Sequence, residues 1–294
     1  MDIVLTYVNG LDPVWQKQYE TSTNTPILTK RFRDWGTLRY LFRGIEKNMP
    51  FIRKVHLVVS SESQVPEWVN RSEINVVLHS DIIPAEHLPT FNSNTIELHI
   101  FNIDDLDEEF LYFNDDIFPM LPMRAEDFFQ EGRGIIGMSR HLLSLDMFKK
   151  ICRNSDRAAR RALGLKPRCY FLRPQHICAP MRRSECRKVY EAVKEDIIST
   201  LSRTRRSENI TQYLFTDYLY LKGGIINRRQ PSRHFSMGVA TPEKIESYLR
   251  NPQRALVCIN DVQLSDQRYR EMHDMLLETL EFCFPNKSKY ENEF

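Results

Sequence analysis

Nine residues, Phe110 to Phe118, narrow the fold more than any others in the chain. Phe110–Phe113 is an uninterrupted apolar run of strand length, and it stops at Asn114, Asp115 and Asp116. An apolar run with no polar face suits a buried strand. Two adjacent carboxylates at the end of such a strand repel each other and lose hydration. A divalent metal with a phosphate on its far side relieves both penalties. In open α/β sheets, ligands sit beyond the carboxyl ends of the strands. Asn and Asp are also ordinary turn formers, so this run alone leaves a strand-ending turn as the other reading.

The rest of the chain repeats the alternation. Residues 3–8 read as a strand closed by a turn over 9–13. Leu38, Leu41, Phe42 and Ile45 fall at helical spacing and predict a helix over 34–48, closed by Pro50. Residues 55–59 and 74–78 read as the second and third strands, and 95–102 as a short helix. Asn92 or Ser93 would cap that helix, with Glu97 in its first turn. Residues 255–259 read as another buried strand, ending in Asn260 and Asp261, and 267–282 as a closing helix. This order predicts one α/β domain over 1–294, Rossmann-like, with a mostly parallel twisted sheet and helices on both faces.

Residues 139–224 break the pattern and are expected as a helical insertion or subdomain. Within them, 149–188 are dense in Lys and Arg: either a solvated helix surface or a contact for an anionic polymer or lipid headgroups. Residues 210–221 are aromatic and helical in spacing, as a core helix would be.

Charge is balanced, 41 Lys and Arg against 39 Asp and Glu, which weighs against a nucleic-acid partner. Six cysteines form no C-x-x-C pair, so a zinc site is not expected and the thiols read as those of a reducing cytosol. The first eight residues read as a strand rather than an export signal. No apolar stretch approaches the ~20 residues of a membrane span. The expectation is a soluble or peripherally attached protein. The chain has no G-x-G-x-x-G, P-loop, G-x-S-x-G or H-E-x-x-H, which disfavours nicotinamide, P-loop, serine-hydrolase and zincin chemistry.

Three strand ends finish in amide and carboxylate groups: Asn9 with Asp12, Asn114 with Asp115 and Asp116, and Asn260 with Asp261. If the strands are parallel in one sheet, these groups converge on one edge and can bind a hard cation and sugar hydroxyls together. Residues 88–94 lead into a helix N-terminus, suited to a phosphate or sugar hydroxyl, or to a plain cap. His176 lies between Pro174 and Pro180, which hold its backbone in place. Arg205 and Arg206, and likewise Arg31 and Arg33, would clamp a diphosphate or cap a helix.

Taken together, these segments resemble the Stealth family. Residues 2–13 are similar to its first conserved region. Residues 31–40, continuing through 44–48, 88–94, Glu97 and His99 to 113–116, resemble the second. Gln175–His176 and Arg205–Asn209 resemble the third, and Cys258–Asp261 the fourth. Two positions depart from the pattern: Trp35 stands where Asn is usual, and Asn9 where many bacterial members have Asp.

The resemblance implies a fold like that of nucleotide-sugar transferases and a bacterial capsule or exopolysaccharide enzyme. Such an enzyme transfers a sugar 1-phosphate from a UDP-N-acetylhexosamine to a hydroxyl of a growing polysaccharide or lipid-linked acceptor, and UMP leaves. It further implies Mg²⁺ or Mn²⁺ held by Asp115 and Asp116 with Asn260 or Asp261. Arg205 would meet phosphoryl charge, and His176 or Asp116 would accept the proton. Asn9, Asp12, Arg33, Asn92, Ser93, Glu97 and Asn114 would contact nucleotide or sugar. The place of work would be the cytoplasm, at the inner face of the membrane, with residues 149–188 as the contact. Two rival readings are a metal-dependent glycosyltransferase that releases UDP and a non-catalytic polysaccharide-binding or assembly protein.

Overall fold

The computed structural model describes residues 1–26, 32–262 and 264–292, so Arg31 lies outside the described residues. The first half contains β1 (Asp2–Thr6), α1 (Pro13–Thr23), α2 (Leu38–Asn48), β2 (Val55–Val59), β3 (Ile74–Leu78), α3 (His79–Ile82), α4 (Ser93–Glu97), β4 (Glu109–Phe113), β5 (Ile117–Pro119), β6 (Phe129–Gln130), β7 (Arg133–Ile136) and β8 (Met138–His141). The second contains α5 (Met147–Ala162), β9 (Phe171–Pro174), β10 (Ala179–Arg182), α6 (Arg183–Ala192), α7 (Lys194–Thr200), α8 (Tyr213–Leu221), β11 (Ile225–Asn227), β12 (Ser232–Ser236), α9 (Pro242–Arg250), β13 (Leu256–Asn260) and α10 (Asp266–Cys283).

The main sheet has the order β10-β4-β1-β2-β3. Its β1–β4 strands are parallel, and β10 joins one edge antiparallel, with Ala179 opposite Tyr112. Every residue of β2 is buried. Successive strand residues point to opposite faces, so both faces of β2 are covered, as the apolar runs predict. Strand order reverses between β1 and β4, and such a reversal leaves a crevice at the strands' carboxyl ends.

Asp2 anchors the other end of β1. Its carboxylate accepts from His56 Nε2 at 3.0 Å, Arg53 Nη2 at 2.6 Å and the backbone N–H of Asp107 at 3.0 Å. Burial alone would raise its carboxyl, but the bonds from His56, Arg53 and Asp107 prevail and hold it at about 2.

The structure differs from expectation in four places. The turn over 9–13 is instead a turn followed directly by α1. Asp12 is its N-cap, accepting from Val14 N–H at 2.9 Å, and Pro13 takes the first helical position. Helix α2 starts at Leu38 because Asp34 first turns the chain, its Oδ1 accepting from Gly36 N–H at 3.0 Å. β13 is not in the main sheet. It pairs parallel with β12 and antiparallel with β5 in a separate three-stranded sheet.

Residues 139–224 are woven in rather than inserted. They supply β10 to the main sheet, and Met181, Cys186, Val189, Leu214 and Phe215 to the continuous core. On α5 the charge lies mostly outward: Ala158 and Ala159 are buried while Arg157 and Arg161 are exposed, and Arg160 turns inward to pair with Asp156 at 2.9 Å.

Candidate functional site

A cavity of about 1070 Å³ opens at the β1/β4 reversal. Its floor is Thr6, Tyr7, Asn114, Asp115 and Asp116, at the ends of those two strands. Gly10 brings a further wall close: a Cβ there would lie 1.9 Å from the Phe32 carbonyl oxygen, so only glycine lets the segment bearing Arg33 and Asp34 pack against this loop.

Asp115 and Asp116 occupy the turn between β4 and β5. The Asp115 carboxylate is exposed to the cavity yet enclosed by its walls. That enclosure and the neighbouring charge of Asp116, with smaller contributions from Asp34 and Asp261, push it up to about 7. Oδ1 of Asp116 is buried without a hydrogen-bond partner, and Oδ2 accepts from the Cys258 thiol at 3.4 Å. Asn260 and Asp261 line the cavity although β13 belongs to the smaller sheet. They arrive because β13 pairs with β5 and the Ile259 N–H donates to the Asp116 carbonyl at 2.8 Å. Burial raises the Asp261 carboxyl as well. Repelling carboxylates, a side-chain amide and an orphaned buried oxygen form an oxygen-donor set that fits Mg²⁺ or Mn²⁺. Asp115, Asp116, Asp261 and Asn260 line this cavity and are the candidates to hold the ion; among the described residues, the acidic, His and Cys donor atoms that already lie within 4.8 Å of one another are those of Asp116, His176 and Cys258.

His176 stands on the connection between β9 and β10, with Nε2 3.9 Å from Asp116 Oδ2. Gln175 fastens the segment beside it. The Gln175 N–H donates to the Gly137 carbonyl at 2.7 Å, and its amide donates to Ser232 Oγ at 2.7 Å and accepts from Gln230 N–H at 3.0 Å.

The opposite wall carries Ser93, Glu97 and Arg205. Arg205 donates to Ser93 Oγ at 2.6 Å. Glu97 accepts from Thr211 Oγ1 at 2.6 Å and from Tyr112 OH at 3.4 Å, and burial raises its carboxyl. Arg33 also lines the cavity. It pairs with Asp266, stacks 4.4 Å from the Tyr269 ring, and keeps Nη1 buried without a partner.

Three expected contact residues do not reach the cavity. Asp12 is occupied by its cap and by donors from Ser63 at 2.6 Å and Gln64 at 2.8 Å. Asn9 closes its own turn through Leu11 N–H at 2.9 Å and lines a separate, smaller cleft. Asn92 is fully buried. It caps α4, and its amide donates to the Ser202 carbonyl at 3.1 Å and Asn209 Oδ1 at 3.0 Å, fixing the segment that presents Arg205. These are short polar side chains that the chain's own backbone claims first.

Sequence reasoning missed Cys258 and His234. They sit side by side in register on β13 and β12, and His234 lines the cavity. Asp116, His176 and Cys258 place donor atoms within 4.8 Å of one another. They come from the β4–β5 turn, the β9–β10 connection and the middle of β13, so no spacing motif reveals the grouping. Burial pushes the Cys258 thiol up, which keeps it a proton donor to Asp116.

A family profile described as Stealth protein CR2, conserved region 2, matches residues 31–136. A capsular polysaccharide phosphotransferase, LcbA, of Aeromonas hydrophila is 31% identical over 80% of this chain and 70% of its own length. Another, WcwK of Streptococcus pneumoniae, is 27% identical over 99% of this chain and 98% of its own. Among solved structures, the galactosyltransferase LgtC with donor and acceptor sugar analogues aligns at a TM-score of 0.42 and 12% identity, covering 93% of this chain and 95% of that one.

Proposed function

The chain belongs to the Stealth family, and from that premise we propose that it is a polysaccharide phosphotransferase. It moves a hexosamine 1-phosphate from a UDP-N-acetylhexosamine to a sugar hydroxyl during capsule or exopolysaccharide synthesis. It works in the cytoplasm at the inner face of the membrane. The observation that carries this reading is the meeting of the Asp115–Asp116 pair with His176 at the β1/β4 reversal, 3.9 Å separating His176 from Asp116.

In this mechanism the acceptor hydroxyl attacks the phosphorus that bears the donor sugar, and its proton passes to the His176 imidazole. The bond from that phosphorus to the bridging oxygen breaks. UMP leaves with the oxygen and the electron pair, and a phosphodiester remains. Phosphoryl transfer of this kind needs alignment and charge neutralisation more than covalent help. Mg²⁺ or Mn²⁺ supplies neutralisation of the diphosphate when bound. Arg205, turning from Ser93, meets charge on the transferred group. Asn114, Ser93 and Glu97 bind nucleotide and sugar hydroxyls.

The test is a panel of UDP-sugars with Mg²⁺ and an oligosaccharide acceptor, reading the released nucleotide and the phosphorus NMR spectrum. UMP and a phosphodiester signal are expected. UDP would make the protein a glycosyltransferase, and sugar binding with no nucleotide release would make it a binding protein. His176→Ala should lower kcat by about 10²–10⁴-fold; near-normal turnover would remove His176 from the reaction.

A further inference from the structure

The segment linking β8 to α5 exposes apolar side chains in a way a folded surface rarely does. Leu142 and Leu143 are each 65% exposed, Leu145 78%, Met147 48% and Phe148 38%. Isolated exposed leucines need no explanation, but a contiguous apolar patch marks a contact. The backbone here is fastened at both ends. The β8–β9 ladder pairs His141 with Phe171, Arg153 donates to the Leu142 carbonyl, and Asp146 caps α5 by accepting from Lys149 N–H at 2.8 Å.

We propose that residues 142–148 seat the protein on an anionic lipid leaflet. The leucines enter the interfacial layer, and the cavity mouth faces the membrane. Three observations select this occupant. Arg140, Lys149, Lys150 and Arg153 flank the patch in the chain between residues 138 and 155, where the one acidic residue, Asp146, pairs with Lys149 at 3.3 Å, so the apolar segment is bordered by net positive charge. Anionic headgroups complement such a rim while the acyl boundary takes the leucines. Secondly, leucine is the commonest apolar residue of the patch and Lys149 and Lys150 adjoin it, and lysine is depleted in protein-binding patches. Thirdly, Leu142, Leu143 and Leu145 are not among the residues lining the cavity, so they do not form a lid over it. His141 and Phe148, at the two ends of the segment, do line it. The patch is therefore the rim of the mouth, and a leaflet beneath it would present a lipid-borne acceptor directly to the cavity. That last step rests on the proposed phosphotransfer; lipid binding itself does not.

The experiment is flotation of the full chain with phosphatidylcholine vesicles, with and without phosphatidylglycerol, at low and high salt. The chain should float only with the anionic vesicles, and less at high salt. The L142S/L143S/L145S variant should lose about tenfold or more in partitioning while melting at the parent's temperature. K149Q/K150Q, which keeps every leucine, should lose a similar factor and stands in if the first variant misfolds. Absence of flotation, equal flotation with neutral vesicles, or parental flotation by these variants would overturn the proposal. Parental flotation of the triple variant with lost turnover on a water-soluble oligosaccharide would reassign the segment to a lid. If vesicles bind but no UMP is released from any donor, lipid seating stands and the phosphotransfer reading fails.

Discussion

Replacing Asp115 with Asn separates the stability of the cavity from its chemistry. In the unfolded chain the Asp115 carboxyl ionises near 3.8, and in the folded protein enclosure and Asp116 raise it to about 7. Between those values the folded protein holds a proton that the unfolded chain has released. Stability therefore falls as pH rises through that window, and the deficit is complete above it. The interval from 3.8 to about 7 corresponds to ~4 kcal/mol at about 1.36 kcal/mol per pH unit. The carboxylate is exposed to the cavity's solvent, and screening there reduces the figure to about 1–2 kcal/mol. Asp115→Asn removes the charge. Without metal at pH 8 it should raise Tm by about 2–3 °C, and at pH 4 by close to nothing. Mn²⁺ should raise the parent's Tm at pH 8 and leave the variant's nearly unchanged, while phosphotransfer by the variant collapses. The assay is thermal unfolding at both pH values with and without Mn²⁺. A variant that melts at or below the parent's temperature at pH 8 without metal would refute the electrostatic reasoning.

Two further outcomes follow from the hydrogen-bond geometry. Asn92→Ala removes the α4 cap and the amide's bonds to Ser202, Thr204 and Asn209; it should cost about 1–3 kcal/mol in urea unfolding and lower turnover through the slackened Arg205. Parental stability would show that the segment holds itself. Asp2 is held at about 2 in the folded protein against 3.8 unfolded, so its contribution of about 2 kcal/mol is fully present above the unfolded value and is lost as pH falls through the folded one. Asp2→Asn should therefore weaken the protein at pH 7 and much less at pH 2, measured by urea titration at each pH; an equal loss at both would exclude the linkage.

The parallel strands are legible because both of their faces are covered, so 110–113 reads as an unbroken apolar run and 55–59 as one interrupted by His56, which Asp2 holds inside. Helix α2 is legible from the spacing of Leu38, Leu41, Phe42 and Ile45. Asp12–Pro13 is ambiguous in a local pattern, since the same pair ends a turn or opens a helix. Helix α1 buries only Trp15 and Tyr19, too thin a stripe to decide between them. The sheet to which 256–260 belongs is set by pairing with 117–119, a contact over more than a hundred residues that no local pattern encodes. Asn9, Asp12 and Asn92 carry the chemistry of ligands and of caps alike, and only the positions of Gln64, Ser202 and Asn209 show which role each takes. Cys258 and His234 acquire meaning from a register between two strands, again a property of the assembled sheet.

Asn114, Asp115 and Asp116 are the only residues between β4, in the five-stranded sheet, and β5, in the three-stranded one. That crossing ties the two sheets together over three residues. β5 in turn carries β13 with it, and so Asn260 and Asp261. A cation held from both sides of that crossing, as proposed, would act as a clasp: whatever draws the sheets together would tighten the grip, and the ion would resist their separation by the same free energy.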